Sequence, residues 1–193
     1  MRNRGCHAKP ALVALGLVLA GGCAAFARAG PPDARGAEIS REACGPLPQS
    51  RPLVYRNRLF GLTMTYPSSF ALDPDSIPAS GDSARFWTPD RQATAVVTGL
   101  RNGLRQSLAD LFAEARRDVT ENSGGPITYM RTKDNWFVVS GFMAGRIFYR
   151  RTLLKPDGTA IGHLSIEFPR GMRPCFEDAV TMMSLSFRSA GPD

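Results

Sequence analysis

The sequence predicts an α+β protein in which an antiparallel meander of β-strands is flanked by helices. Residues 127–169 hold four successive runs rich in aromatic and β-branched residues, separated by turn-forming residues. Residues 107–122 instead repeat apolar side chains at helical spacing. The strands occur in blocks rather than in repeated βαβ units, which favours an antiparallel sheet with helices packed on its faces.

The first 29 residues have the three parts of a bacterial secretory signal peptide. A positively charged start is followed by the apolar run Ala11–Ala20 and by the small-residue cleavage site Ala27-Arg28-Ala29. The apolar run is too short for a permanent membrane anchor. We therefore expect residues 1–29 to be removed and the mature protein to be periplasmic or secreted.

A second processing route depends on Cys23. The residues Leu19-Ala20-Gly21-Gly22-Cys23 resemble a lipobox, the motif at which bacterial lipoproteins are cleaved before a lipidated cysteine. The two glycines fit this motif, whereas Ala20 stands where a larger aliphatic residue is usual. The well-formed site at Ala27–Ala29 favours a soluble product, and a lipoprotein anchored in the envelope through Cys23 is the alternative.

The charge of the chain does not indicate a nucleic-acid-binding protein. Its formal value is +7, from 24 basic and 17 acidic residues. Four basic residues and no acidic ones lie in the predicted leader, so the mature chain carries about +3. A mildly basic domain of this kind lacks the concentrated positive charge that a polyanion binder needs.

Either cleavage leaves Cys44 and Cys175 as the cysteines with free side chains. Two thiols in an oxidising compartment predict one disulfide, which would tie the amino-terminal tail to the start of the last helix. The chain-entropy model allows such a long loop about 4–5 kcal/mol of stabilisation. Free, reactive thiols or a metal-binding pair are the alternative, disfavoured by the lack of a CxxC motif and by the scarcity of histidine.

Residues 30–53 predict a linker, because proline and glycine recur through them and oppose regular structure. The single folded domain is predicted over residues 54–190 and starts with a strand at Leu59–Pro67. Residues 68–82 predict a loop with Phe70 and Leu72 as inward anchors. A hairpin then joins two further strands, Arg85–Thr88 and Ala93–Leu100.

Two helices are predicted. Ser107 is the expected N-cap of the first, and Asp110 three residues later gives a weak capping box. The inward side chains of this helix are Leu108, Leu111, Phe112, Ala115 and Val119. The second helix begins near Pro174, which suits a first turn, and Leu185–Phe187 predicts a short closing strand. Its inward side chains are Phe176, Ala179, Val180 and Met183.

The last strand of the meander alternates most clearly. Leu164, Ile166 and Phe168 fall on one face of this strand. The opposite, more polar face carries His163, Ser165 and Glu167. The turns that separate the four strands are predicted at residues 133–135, 144–145 and 155–158.

Several short stretches resemble the PsbP-like superfamily. Phe60-Gly61-Leu62, followed by Tyr66-Pro67-Ser68-Ser69-Phe70, is similar to its first strand and aromatic corner, and Ser184–Phe187 is similar to its carboxyl-terminal closure. The superfamily includes the extrinsic PsbP subunit of photosystem II, Ran-binding Mog proteins and exported bacterial proteins with stretches like Trp136–Gly141. The resemblance covers about residues 55–188. It implies an α-β-α sandwich with non-enzymatic roles in assembly and partner binding, and it supplies no catalytic residues.

The most noticeable basic and aromatic stretch is the candidate binding patch, formed by Arg146, Tyr149, Arg150 and Arg151. Alternation puts Arg146 and Arg150 on one face of a strand, where they could grip a carboxylate or an anionic head group. The alternative is a solvated strand whose arginine stems cover apolar surface.

His163 is the histidine left after processing, so a Ser/His hydrolase would have to use it, with Ser165 as the candidate nucleophile. No nucleophile elbow accompanies the pair, which favours a hydrogen-bonded surface histidine. The sequence contains no HExxH motif or other metal-ligand spacing, and we predict neither a metal nor a cofactor.

The sequence therefore predicts an exported, non-catalytic binding or assembly module of the bacterial cell envelope. Its expected partner is another envelope protein or a small anionic or apolar ligand, and not nucleic acid. A small envelope hydrolase around His163 and a structural lipoprotein tethered through Cys23 are the alternatives. Membrane attachment is expected only if Cys23 is lipidated.

Overall fold

A seven-stranded antiparallel sheet forms the centre of the computed structural model, which describes residues 40–44, 51–122 and 125–189. The predicted signal peptide, with Cys23, and residues 30–39 and 45–50 of the predicted linker lie outside the described residues. The predicted 127–169 meander supplies four neighbouring strands of this sheet, and this prediction is confirmed.

The strands of the main sheet run in the order β3-β4-β5-β9-β8-β7-β6, and all neighbours are antiparallel. Their bounds are β3 Ala71–Asp73, β4 Ser83–Trp87, β5 Thr94–Arg101, β6 Ile127–Lys133, β7 Trp136–Met143, β8 Arg146–Leu154 and β9 Ala160–Pro169. Strands β4 and β5 form the predicted hairpin.

A second, three-stranded sheet has the order β1-β2-β10, with β1 Pro52–Asn57, β2 Leu62–Pro67 and β10 Arg188–Ser189. The helices are α1 Leu108–Asn122 and α2 Arg173–Ser186, and short 3-10 turns cover Arg41–Cys44, Pro74–Ser76 and Arg170–Met172. The two faces of the main sheet are named here by the helix that each one carries, the α1 face and the α2 face.

Two apolar cores lie on the two faces. On the α2 face, Phe86 and Ile166 of the main sheet pack with Met64 of β2 and with Phe176 and Met183 of α2. On the α1 face, buried side chains of β7, β8 and β9 meet one side of α1: Phe137, Val139, Phe148, Ile161, Leu111 and Val119. The main sheet is therefore the middle of three layers, and the predicted α-β-α sandwich is confirmed.

Two glycines on the α2 face allow the small sheet to approach closely. The position of a Cβ atom on Gly99 is filled by the ring of Phe60. A Cβ atom on Gly162 would lie 2.7 Å from Cδ2 of Leu62. A side chain at either position would require these packed side chains to shift.

The disulfide between Cys44 and Cys175 is present and joins residues 131 positions apart. It holds the 3-10 turn at Arg41–Cys44 against the first turn of α2, as predicted. Arg41 adds an exposed ion pair, with its Nη2 atom 3.1 Å from Oδ1 of Asp178. This covalent link ties residues ahead of the sheets to the helical layer.

The capping box of α1 is also present. The Oγ atom of Ser107 accepts a hydrogen bond from the backbone N–H of Asp110 at 3.2 Å. The Asp110 carboxylate in turn accepts from the backbone N–H of Ser107 at 2.9 Å. These hydrogen bonds hold the pKa of Asp110 below its ordinary value.

Four predicted boundaries were wrong. The strand predicted at Leu59–Pro67 begins only at Leu62, after a turn at residues 58–61. Strand β1 starts at Pro52, inside the predicted linker. The sequence did not indicate this strand because it is mostly exposed and lacks the alternation that marks a half-buried strand. The predicted loop at residues 68–82 contains β3, although Phe70 is buried inwards as expected. The chain at Leu185–Ser186 continues α2, and the closing strand β10 begins only at Arg188.

Candidate binding sites

The alternation of β8 divides the candidate binding patch between the two faces of the main sheet. Arg146 and Arg150 lie on the α1 face, as the spacing predicts, together with buried Phe148. Tyr149 and Arg151 lie on the α2 face, where both contact Ser184 of α2. The four residues therefore do not form one surface, and a binding role for them as a group stays a prediction.

The two arginines on the α1 face already have partners within the chain. Arg150 donates to the Oδ2 atom of Asp118 in α1 at 2.6 Å, and its guanidinium also lies over the ring of Phe148. Arg146 donates to the backbone oxygens of Gln92 at 2.9 Å and Glu167 at 3.2 Å. Both of these acceptors are carbonyl groups, so among the described residues Arg146 has no ion pair.

Arg151 is buried on the α2 face, with 9% of its surface exposed. Its guanidinium lies 4.1 Å from the ring centre of Trp136 and donates a long hydrogen bond of 3.4 Å to Oγ of Ser184. The Nε atom has no hydrogen-bond partner within the described chain. Burial lowers the pKa of Arg151 by disfavouring the charged form. Because the side chain is buried, a partner cannot reach its guanidinium group.

Tyr149 borders a cavity on the α2 face. Its hydroxyl lies 2.6 Å from the Oγ atom of Ser184, and burial raises its pKa. The cavity, named here the α2 groove, has a volume of about 620 Å³ and runs between α2 and strands β6–β9. Its floor is largely aromatic and its rim on α2 is charged; the aromatic lining is Tyr129, Phe142, Tyr149 and Phe168, and the charged rim is Arg173, Glu177 and Asp178.

Strand β6 extends the α2 groove to the edge of the sheet. In the described part of the chain β6 pairs only with β7, so its outer edge is unpaired. Tyr129, which lines the groove, is 47% exposed, and its neighbour Met130 is 45% exposed. The positive residues Arg131 and Lys133 lie at the far end of β6, which leaves the part beside the groove uncharged.

His163 lies on the α1 face beside a smaller cavity of about 300 Å³. Its Nδ1 atom is 2.8 Å from Oγ1 of Thr152. Burial is the main cause that lowers the pKa of His163; the charge of Arg150 lowers it too, and that of Glu114 opposes both. Ser165 makes no hydrogen bond to His163, so the geometry does not form the pair that a Ser/His hydrolase needs.

Trp87 and two arginines form a cluster that the sequence did not single out. The guanidinium carbons of Arg85 and Arg91 lie 5.3 Å and 4.9 Å from the centre of the Trp87 ring. Arg146 lines the same shallow cavity, which has a volume of about 510 Å³. Trp87, Arg85, Arg91 and Arg146 are together called the basic face. They lie on the α1 face of the main sheet, on strands that α1 does not cover.

Comparisons with solved structures identify the fold. The crystal structure of the Ran-binding protein Mog1p from Saccharomyces cerevisiae matches with a TM-score of 0.55 at 10% identity, covering 74% of this chain and 97% of that one. The solution structure of the cyanobacterial PsbP protein from Synechocystis matches with a TM-score of 0.57 at 12% identity, covering 76% of this chain and 97% of that one. The chain has the PsbP/Mog1-like fold.

At these identities the likeness establishes the fold alone. No protein-family model matches the sequence, and a sequence comparison with curated proteins finds no match. In the described residues of this PsbP/Mog1-like chain, no three histidine, cysteine or acidic side chains come together to ligate a metal. No helix among them is long and apolar enough to cross a membrane.

Proposed function

We propose that this PsbP/Mog1-like protein is a non-catalytic binding or assembly module, and that its protein partner docks in the α2 groove and along β6. The observation that carries this proposal is the continuity of an aromatic cavity with an unpaired, exposed strand edge. The volume of about 620 Å³ is in the range of pockets that enclose ligand groups.

An extended segment of the partner fits this surface best. The outer edge of β6 offers unpaired backbone groups, and a partner strand can satisfy them by pairing with that edge. A side chain of the same segment can then enter the α2 groove and contact Tyr129 and Tyr149. Backbone pairing supplies affinity in this mode, and the groove supplies selectivity.

The location proposed for this activity is the bacterial cell envelope. The disulfide between Cys44 and Cys175 is compatible with an oxidising compartment, and the first 29 residues read as an export signal. Mog1p is a Ran-binding protein. A protein-binding role on the same fold supports a protein partner here.

Site-specific photocrosslinking in the native envelope tests the proposal. A photoreactive phenylalanine at Tyr129 should give an adduct of discrete mass, because this residue lies at the groove and the edge together. The matched control is Val54, which is 57% exposed on edge strand β1 of the small sheet. Mass spectrometry of the adduct also reads the mature amino terminus, either Gly30 or a lipidated Cys23.

A groove-filling variant separates docking from chance proximity. Thr181→Trp should abolish the Tyr129 adduct, because Thr181 lines the α2 groove from α2. Leu185→Trp is the control, since Leu185 is exposed on the same helix outside the groove. Equal adducts from Tyr129 and Val54, or an adduct that survives Thr181→Trp in a folded protein, would refute docking at this site.

A further inference from the structure

Trp87 organises a cluster of positive charge on the side of the main sheet opposite the α2 groove. Arg85 and Arg91 both lie over its ring, at 5.3 Å and 4.9 Å. A cation–π contact of this kind engages the charge and leaves the five N–H donors of each guanidinium free. Within the described chain, neither side chain makes an ion pair or a hydrogen bond to another residue.

The cluster is held in place before any ligand arrives. The indole N–H of Trp87 donates to the Oδ2 atom of Asp73 at 3.1 Å, which fixes the ring. Arg91 occupies the turn between β4 and β5 with a φ of +55°, a backbone conformation uncommon for a residue with a side chain. Its backbone N–H donates to the carbonyl of Thr88 at 2.8 Å.

Further hydrogen bonds make this turn rigid. The carboxylate of Asp90 accepts from Oγ1 of Thr88 at 2.6 Å and from the backbone N–H of Gln92 at 3.0 Å. The same Thr88 Oγ1 atom accepts from the backbone N–H of Ala93 at 3.0 Å. A turn that is ordered in advance reduces the entropy lost when a ligand binds.

Arg146 completes the basic face from β8. It reaches across β9 to the turn, where it donates to the carbonyl of Gln92 at 2.9 Å. Three guanidinium groups and one carboxylate, that of Glu167, line the cavity of the basic face. A second carboxylate, that of Asp73, lies beside it and is bonded to the indole N–H of Trp87. Guanidinium groups suit carboxylates and phosphates because their N–H donors form paired hydrogen bonds to two oxygens.

The dimensions of the basic face indicate what kind of anion it fits. Arg85 is on β4 and Arg146 is on β8, three strands away in the order β4-β5-β9-β8. Neighbouring strands are about 4.8 Å apart, so the two backbones are separated by about 14 Å. Arginines that start from strands this far apart can each bind a different carboxylate of one extended chain.

Helix α1 restricts the shape of the ligand further. It packs on the same face of the sheet as Trp87, and a helix with its side chains is about 10 Å thick. A flat membrane surface would therefore meet α1 before it reached the arginines. A narrow peptide segment can lie beside the helix on the open strands.

We propose that the basic face is a second binding site, which takes an acidic, extended segment of a protein by gripping its carboxylates with Arg85, Arg91 and Arg146 around Trp87. The site is independent of the α2 groove, since the two lie on opposite faces of the main sheet. The ligand would contact the exposed surfaces of β4, β5 and β9. The affinity of the site for this ligand falls as the salt concentration rises, because the attraction is between exposed charges.

Fluorescence anisotropy with a defined probe tests this site. The probe is a labelled peptide of six glutamates alternating with serines, and its counterpart carries glutamine in place of glutamate. The intact protein should bind the glutamate peptide at least tenfold more tightly than the glutamine peptide in low salt. Equal affinity for the two peptides would overturn the proposal.

Matched charge variants localise the binding. Arg85→Gln with Arg91→Gln should weaken binding of the glutamate peptide at least tenfold. Arg56→Gln with Arg58→Gln removes the same charge from exposed positions at the end of β1 and should change the affinity less than twofold. An equal loss in both double variants would show attraction to overall charge, and the site would be refuted.

A third variant and a competitor complete the test. Thr94→Glu places a carboxylate within the basic face and should repel the glutamate peptide while every arginine is retained. A single-stranded oligothymidylate should displace the peptide poorly. If it binds more tightly than the peptide, and the Arg85/Arg91 variant loses that binding, the ligand is a phosphodiester chain and an acidic protein segment is the wrong partner.

Discussion

Neighbouring arginines in this chain have very different surroundings, because the strand that carries them alternates between two layers. Arg150 is neutralised by Asp118 at 2.6 Å, while Arg146 is bound only to carbonyl oxygens. Arg151, one residue further on, is buried against Trp136. The number of basic residues in a stretch of sequence therefore overstates the charge that a partner can reach.

The stability of the protein should fall as the pH is lowered through the titration range of His163. Burial depresses the pKa of His163 in the folded protein, so the unfolded chain binds the proton more readily. The loss should begin near the unfolded pKa of about 6.5 and continue down to the folded pKa. Urea unfolding at pH 8 and at pH 5.5 measures it.

The control for this prediction is His163→Gln, which keeps a polar side chain beside Thr152 and removes the titration. The difference in unfolding free energy between the two pH values should be smaller in this variant than in the parent protein. An equal difference in both proteins would assign the pH dependence to groups other than His163. The carboxylates of Asp90 and Asp110 are not among them, because their lowered pKa values affect stability only at more acidic pH.

Part of each candidate site could be predicted from the residues alone. The two-residue period of a strand was enough to place Arg146 and Arg150 on one face. The contact of Arg150 with Asp118 could not be predicted, because it depends on how α1 crosses the sheet. The contact of Arg91 with Trp87 depends on a turn with positive φ, and no pattern in residues 88–93 marks that conformation.

At the scale of whole elements, prediction succeeded where a segment is half buried and carries its own end signals. Helix α1 has a clear apolar stripe and a capping box, and the 127–169 meander has turn residues between its strands. Strand β1 was missed because most of its residues are exposed on both sides and it begins with Pro52. Strand β10 has two residues, too few to show any period.

The contact between the two sheets makes Gly162 intolerant of a side chain. A Cβ atom there would lie 2.7 Å from Cδ2 of Leu62 and 3.1 Å from Cδ1 of Leu153, and both leucines are buried. Gly162→Ala should lower the free energy of unfolding by about 1–3 kcal/mol, the usual cost of overpacking a core. Urea denaturation followed by circular dichroism gives the value.

Gly103→Ala is the matched control for Gly162→Ala. A Cβ atom on Gly103 meets no atom within 4 Å, and removing a glycine reduces the entropy of the unfolded chain. Gly103→Ala should therefore leave the stability unchanged or raise it slightly. A Gly162→Ala protein as stable as the parent would mean that the side chains of Leu62 and Leu153 shift at little cost.

At the scale of the whole molecule, the main sheet separates the two proposed binding surfaces. The α2 groove lies between the sheet and α2, and the basic face lies on the α1 side, so a ligand at one does not block the other. Both surfaces are built on strands of the same hydrogen-bonded sheet, in which β8 and β9 are neighbours. A protein that holds two partners through one rigid sheet is suited to assembly roles.

The disulfide is the one described covalent link between the amino-terminal 3-10 turn and α2, and it should contribute strongly to stability. It closes a loop with a sequence separation of 131, and removing a native disulfide typically costs about 2–5 kcal/mol. The neighbouring ion pair between Arg41 and Asp178 is solvent-exposed and adds little.

Reduction should therefore lower the urea midpoint of the parent protein, while Arg41→Ala should barely change it. In the Cys44→Ala/Cys175→Ala variant the midpoint should be low and indifferent to reductant. A parent protein whose midpoint stays the same after complete reduction would show that the disulfide contributes little to stability.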